Sequence, residues 1–185
     1  MYEVEIKVPA DHAAVESRLR ELGAERAGRR GQRDVYYDAP HREFAETDEA
    51  LRIRHETDAD PATDSPETTR LTYKGPLLDS ASKTRSEHET AVDDAEALAG
   101  VLDGLGFDPA ATVEKRRVYW SLDGFTVTLD AVDGVGEYVE VEREVEDESA
   151  IDATRDAAAD LLDRLGLDAA DQVRTSYLEL LLDGE

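Results

Sequence analysis

The chain has 185 residues, of which 40% are hydrophobic, enough for one globular domain spanning residues 1–185. It contains no cysteine, which excludes disulfides, thiolate zinc sites and a cysteine nucleophile. Its 45 Asp and Glu against 21 Lys and Arg give a formal net charge of −24, which repels nucleic acid and anionic membranes, so we expect neither as a partner.

The first half of the chain predicts one helix among short strands. Residues 2–8 alternate aliphatic and charged side chains, as a half-buried strand does. Residues 11–23 predict a helix with Asp11 as its N-cap and Gly23 just after its end. Residues 23–40 predict a broken strand or a hairpin. Further strands are predicted at 50–56, 70–75 and 82–92, and a polar, proline-containing loop at 57–69.

The second half continues the same mixture of strands and helices. Residues 93–107 predict a helix, and residues 112–132 predict a hairpin that turns at Asp123 and Gly124, a dipeptide typical of tight turns. A last strand is predicted at 137–145, and helices at 148–166 and 169–183. About eight strands, mostly linked by hairpins, with helices at four places indicate an α+β fold.

The predicted strands share one pattern, in which one face is charged and the other is aliphatic. In residues 2–8, Glu3, Glu5 and Lys7 occupy one face because successive side chains of a strand point to opposite sides. The charged positions of the later strands follow the same alternation: Arg52, Arg54, Arg70, Lys74, Arg85, Glu87, Glu89, Lys115, Arg117, Asp130, Glu140 and Glu142.

Two arrangements are compatible with such strands. The simpler is an open antiparallel sheet with one solvent-exposed face and one buried face. The predicted helices, however, carry apolar stripes, such as Val15, Leu19 and Leu22, which need apolar surface to cover. If they pack on the aliphatic strand faces, the charged faces point inward and eight strands can close. We therefore predict an eight-stranded antiparallel closed β-barrel with helices packed outside.

A charged interior indicates a binding site, because burying many charges is costly unless they pair or bind ions. Arginine and lysine suit phosphate oxygens, and arginine can grip them with two parallel hydrogen bonds. The carboxylates on the same faces would repel phosphate unless divalent cations lie between, and Mg²⁺ and Mn²⁺ favour oxygen ligands. In this interpretation Glu3 and Glu5 bind metal and Lys7 binds phosphate.

Seven segments, in order along nearly the whole chain, resemble the CYTH superfamily. This is the group of triphosphate tunnel metalloenzymes that includes class IV adenylyl cyclases, thiamine triphosphatases and inorganic triphosphatases. The resemblance implies an eight-stranded antiparallel tunnel and one CYTH domain over residues 1–185. The segments are EVEIK (3–7), LRIR (51–54), LTYKGP (71–76), TRSEHE (84–89), EKRRVYW (114–120), LDAVDGVGEYVEVE (129–142) and TSYLELLL (175–182).

Carried over residue by residue, the resemblance implies three sets of site residues. The metal-ligand candidates are Glu3, Glu5, Asp130, Glu140 and Glu142. The triphosphate path is lined by Lys7, Arg52, Arg54, Lys74, Arg85, Lys115 and Arg117. Three of these, Lys7, Arg54 and Lys74, are assigned to catalysis. Arg116 competes with Arg117, and the family's Lys-x-Arg pattern favours Arg117. Glu87 and Glu89 are interpreted as partners of the basic residues.

Within this family, the LTYKGP, Arg-x-Glu-x-Glu and SYLELLL segments are most similar to class IV adenylyl cyclases. That branch implies conversion of ATP to cyclic AMP and pyrophosphate, with Mg²⁺ or Mn²⁺ as cofactor. The alternative is hydrolysis of tripolyphosphate or of an organic triphosphate such as thiamine triphosphate in the same tunnel. A third hypothesis is a non-catalytic binder of polyphosphate or nucleotide. The presence of all the metal-ligand carboxylates argues against it.

The sequence also sets expectations about where the protein works. No apolar run reaches about 18 residues and no basic segment precedes an apolar one at the N-terminus, so we expect no membrane span and no signal peptide. A cytoplasmic location is the default expectation. The acidic composition predicts a halophilic source, because solvated carboxylates keep a protein soluble in high salt. A small-molecule triphosphate is the expected partner, and the family makes a homodimer plausible.

Overall fold

Eight antiparallel strands close into a barrel in the computed structural model, which describes residues 2–59, 66–78 and 84–184. The strands are β1 (Tyr2–Pro9), β2 (Glu25–Asp38), β3 (Ala50–Asp58), β4 (Thr68–Leu77), β5 (Arg85–Val92), β6 (Asp108–Leu122), β7 (Phe125–Val132) and β8 (Gly136–Val145). Their order around the barrel is β1-β5-β4-β3-β2-β6-β7-β8, and β8 pairs with β1. The predicted closed barrel and α+β class are therefore confirmed.

Helices lie outside the barrel, as predicted. They are α1 (His12–Glu21), α2 (Phe44–Thr47), α3 (Ala95–Gly104), α4 (Ile151–Arg164) and α5 (Tyr177–Asp183), with 3₁₀ turns at Glu148–Ala150 and Ala169–Asp171. Helices were expected at four places, and the short α2 adds one that the sequence pattern missed. Among the described helices, none combines the length and the apolar content that crossing a bilayer requires.

The main hydrophobic core lies between the outer face of the barrel and the helices α1 and α4. Ile6 and Val8 of β1, both at most 2% exposed, join Leu19 of α1 and Leu162 of α4 in one cluster. Fully burying such a side chain contributes about 1.5–3 kcal/mol. This gain holds the aliphatic strand faces outward under the helices, and the two-residue period of a strand then directs the charged neighbours inward.

The helix and turn signals near both ends of the barrel are confirmed. The Asp11 side chain accepts a hydrogen bond from the Ala14 backbone N–H, and Gly23 follows α1 with a φ of 77°. Asp123 and Gly124 both have positive φ between β6 and β7, as the predicted tight turn requires. Of the predicted loop at 57–69, residues 60–65 lie outside the described residues.

Residues 23–40 differ from the prediction, since they form the single long strand β2 and not a hairpin. This strand pairs along its length with β6 and over its second half with β3. The register shifts between Arg26 and Gly28 and again between Tyr36 and Tyr37. The interruptions in the alternation are therefore β-bulges, which bend a strand without ending it.

The predicted helix at 169–183 is also wrong over its first half. The Asp168 side chain caps only the short turn Ala169–Asp171, after which the chain runs extended and the Val173 N–H donates to the Lys7 carbonyl of β1. α5 begins after Ser176, whose hydroxyl accepts from the Glu179 N–H while the Glu179 carboxylate accepts from the Ser176 N–H. This capping box fixes a helix start that the apolar period alone does not reveal.

Candidate active site

The charged strand faces meet in one cavity of about 510 Å³ inside the barrel. Seven of the eight strands, all but β7, contribute to it, because closure brings inward-facing positions toward a common axis. Of the predicted site residues, Asp130 does not line the cavity. Those that do are Glu3, Glu5, Lys7, Arg52, Arg54, Lys74, Arg85, Lys115, Arg117, Glu140 and Glu142.

Three carboxylates, Glu3, Glu5 and Glu142, form a cluster that we call the carboxylate triad. Glu5 and Glu142 are paired across β1 and β8, and Glu3 is the next inward position of β1. One oxygen of each lies within 4.8 Å of the other two. Burial is the main cause that raises the pKa of Glu3 and of Glu5. Burial also raises the pKa of Glu142 to about 8, against the opposing charge of Arg117.

The triad fits a divalent cation. Its raised pKa values mean that the protein's own cations do not fully compensate these three negative charges. Clustered carboxylate oxygens are the ligands that Mg²⁺ and Mn²⁺ prefer. A metal ion would supply the missing positive charge and would lower the pKa values that burial raises.

The other two metal-ligand candidates lie in ion pairs with Arg117. Arg117 Nε donates to Asp130 at 2.6 Å, and its NH2 group contacts both Asp130 and Glu140. Burial opposes ionisation of Glu140, but the charges of Arg117, Lys115 and Lys7 outweigh it and hold the pKa of Glu140 well below its usual range. Glu140 lines the cavity beside Glu5, whereas Asp130 is fully buried behind Arg117. The structure therefore does not bring Asp130 to the triad.

Asp34 of β2 is a site residue that sequence reasoning missed. Its Oδ1 accepts from Arg54 Nε and its Oδ2 from Arg54 NH2, both at 2.7 Å, and Oδ2 also accepts from Arg52 at 3.3 Å. Burial alone would raise the pKa of Asp34, but Arg54 and then Arg52 outweigh it and hold that pKa well below its usual range. The hydrogen bonds to this carboxylate orient the guanidinium groups of Arg52 and Arg54, which both line the cavity. Because the sequence predicted a break within residues 23–40, it did not show which face of the strand carries Asp34.

We expect Asp34→Asn to lower the free energy of unfolding by about 3–5 kcal/mol at pH 7, because it removes the carboxylate that is ion-paired with the buried Arg54 and with Arg52. Urea unfolding measures the loss, with Asp38→Asn, an exposed position on the same strand, as the control. Since the folded pKa is depressed, the stabilisation is complete above the ordinary carboxyl pKa of about 3.9 and is lost as the pH falls below it. A loss no larger than that of the control would contradict this role.

The two glutamates of β5, Glu87 and Glu89, contact basic side chains, as predicted. Lys74 Nζ donates to Glu3 at 2.5 Å and lies 2.9 Å from Glu87. Glu89 accepts from Arg70 at 2.7 Å and from the Thr72 hydroxyl at 2.9 Å. The ammonium of Lys74 therefore lies beside the carboxylate triad.

Tyr177 forms an aromatic wall beside two of the lysines. Lys7 Nζ lies 4.2 Å and Lys115 Nζ 5.1 Å from the centre of its ring, and Lys7 also donates to the Thr175 carbonyl at 2.6 Å. Burial lowers the pKa of Lys115 to about 8, helped by Arg117 and opposed by Asp130. Sequence reasoning did not place Tyr177 among the site residues, and it therefore missed the contacts of this ring with the two ammonium groups.

The choice between Arg116 and Arg117 is settled by strand parity. The Arg117 side chain is 7% exposed and lines the cavity, whereas that of Arg116 is 62% exposed and lies 3.8 Å from Asp133 on the outer surface. Arg117 is therefore the arginine of this pair that a ligand in the barrel can contact.

Comparison with known proteins agrees with this architecture. The CYTH domain family model matches residues 1–177. The chain is 34% identical over 181 residues to "Putative adenylate cyclase MJ0240" of Methanocaldococcus jannaschii, covering 97% of this chain and 98% of the relative. It is 30% identical over 150 residues to "Adenylate cyclase CyaB" of Aeromonas hydrophila, covering 80% and 71%. The solved structure of the PH1819 protein from Pyrococcus horikoshii OT3 is 36% identical, with a TM-score of 0.89 over 99% of both chains. The chain therefore belongs to the CYTH domain family.

Proposed function

We propose that this protein is a divalent-metal-dependent enzyme that acts on a triphosphate in the barrel cavity, and that it converts ATP to cyclic AMP and pyrophosphate. One observation carries the proposal: the three clustered carboxylates of the triad and a set of lysines and arginines line a single cavity. The similarity to two proteins named adenylate cyclase favours cyclisation over hydrolysis.

The residues divide into two roles. The triad of Glu3, Glu5 and Glu142 would hold Mg²⁺ or Mn²⁺, which supplies Lewis-acid chemistry to the phosphate oxygens and the attacking hydroxyl when bound. Arg54 and Arg52, oriented by Asp34, present guanidinium groups that can grip phosphate oxygens with parallel hydrogen bonds. Holding the triphosphate in one conformation is itself a large part of the rate acceleration in phosphoryl transfer.

In the cyclisation, the 3′-oxygen of the ribose forms a bond to the α-phosphorus while the bond from that phosphorus to pyrophosphate breaks, and the proton of the 3′-hydroxyl is released to water. Negative charge accumulates on the departing pyrophosphate. Lysine and arginine side chains that are already oriented stabilise that charge without reorganisation, which is the electrostatic contribution that active sites supply most effectively. Lys7, Lys74 and Lys115 line the cavity and would supply this positive charge.

The test is an assay of the purified protein in high salt with Mg²⁺ or Mn²⁺, given ATP and tripolyphosphate in separate reactions. We expect cyclic AMP and pyrophosphate in equal amounts from ATP, and no product after chelation of the metal. Release of orthophosphate from either compound would instead identify a triphosphatase. Binding of both compounds without turnover would contradict an enzymatic function.

A further inference from the structure

Tyr177, the first residue of α5, carries a buried hydroxyl group that has no hydrogen-bond partner among the described residues. The residue is only 6% exposed, yet it lines the cavity. A buried donor that is left unpaired costs free energy, and most buried polar groups in folded proteins therefore have a partner. An unpaired donor in the wall of a candidate site points to an acceptor on the ligand.

The hydroxyl of Tyr177 lies toward the inner face of the barrel. Burial raises its pKa well above the usual range, the charges of Glu140 and Asp130 raise it further, and that of Arg117 opposes them. These three residues belong to β8, β7 and β6, and they contact one another inside the barrel. Both carboxylates are thus already bonded to Arg117, and the hydroxyl remains a protonated donor at neutral pH.

Two ammonium groups lie beside the ring of Tyr177. Lys7 Nζ is 4.2 Å and Lys115 Nζ is 5.1 Å from the ring centre, and both lysines are buried side chains that line the cavity. An ammonium group has three N–H donors, so Lys7 can donate to the Thr175 carbonyl and to a ligand at the same time. A ligand group that lies among these three donors must be an acceptor, and the two positive charges favour an anionic one.

We propose that the Tyr177 hydroxyl donates a hydrogen bond to a phosphate oxygen of the bound triphosphate, beside Lys7 and Lys115. This inference rests on the proposed function, to which it adds a ligand-binding residue. A phosphate oxygen suits the position because it is anionic and accepts more than one hydrogen bond. The phosphate site is then completed by α5, whereas its lysines and arginines all come from barrel strands.

The variant Tyr177→Phe tests the proposal, because it keeps the ring beside the two ammonium groups and removes only the hydroxyl. Tyr138→Phe is the matched control: Tyr138 packs against the ring of Tyr177, with the ring centres 5.3 Å apart, and is not among the described residues that line the cavity. The probes are tripolyphosphate and ATP with a methylene bridge between the α- and β-phosphorus atoms. Calorimetry with Mg²⁺ in high salt measures their dissociation constants, and urea unfolding measures the midpoint of each ligand-free protein.

We expect Tyr177→Phe to weaken binding of both probes by roughly 10-fold or more. Its urea midpoint should be unchanged or higher, because an unpaired hydroxyl does not stabilise the ligand-free fold. Tyr138→Phe should leave both dissociation constants unchanged.

Four results would overturn the proposed contact while leaving the triphosphate site intact. They are unaltered binding of both probes by Tyr177→Phe, weakening of the ATP analogue alone, equal weakening by Tyr138→Phe, and a fall in the urea midpoint of Tyr177→Phe, which would reveal a partner within the protein. If neither probe binds the unaltered protein, the proposed function itself fails, and this inference fails with it.

Discussion

Glu142→Gln is expected to abolish metal-dependent turnover, with a fall in kcat of roughly 100-fold or more, because the variant removes one of three clustered metal ligands. Calorimetric titration with Mn²⁺ should show a parallel loss of metal affinity. The fold should be retained, since burial already favours the protonated form of Glu142 in the metal-free protein and glutamine resembles that neutral form.

The control for this variant lies two residues further along the same strand. Glu144→Gln changes the same chemical group at an exposed position and should leave kcat and metal affinity unchanged. Glu5→Gln, on the paired position of β1, should reproduce the loss seen for Glu142→Gln. Unaltered rates in both triad variants would refute the metal assignment.

Arg54→Met should weaken binding of both tripolyphosphate and an ATP analogue with a methylene bridge between the α- and β-phosphorus atoms, which cannot release pyrophosphate. The expected loss is roughly 10- to 100-fold, because a hydrogen bond to a charged group contributes about 1.5–3 kcal/mol. Arg54 is held by two hydrogen bonds to Asp34, so its guanidinium is already oriented before a ligand arrives. The variant protein should remain folded, since Asp34 keeps Arg52 as a partner at 3.3 Å.

Arg116→Met is the matched control, because it removes the same charge from the outer surface of the barrel. Equal weakening in the two variants would mean that the ligand responds only to net charge. Weakening confined to Arg54→Met would locate the phosphate chain inside the barrel. The two ligands should lose affinity together, because both present phosphate oxygens to Arg54.

The sequence by itself determined which side of each strand carries charge. The alternation in residues 2–8 and 137–145 is a local property, since a two-residue period directs side chains to opposite faces whatever the strand's neighbours are. The apolar stripes of α1 and α4 required the aliphatic faces as their partner, and that requirement was enough to predict a barrel with a charged interior. The start of α1 at Asp11 was equally local, because a cap acts within one turn.

Only the tertiary structure decided which inward charges meet. Parity gave Asp130, Glu140 and Glu142 the same direction, yet Glu142 joins the triad while Asp130 is bound to Arg117. The pairing of Asp34 with Arg54 likewise depends on β2 being continuous beside β3. These outcomes follow from the stagger of strands around a closed barrel, which sets distances between side chains that are remote in sequence. A periodic pattern within one strand contains no information about that stagger.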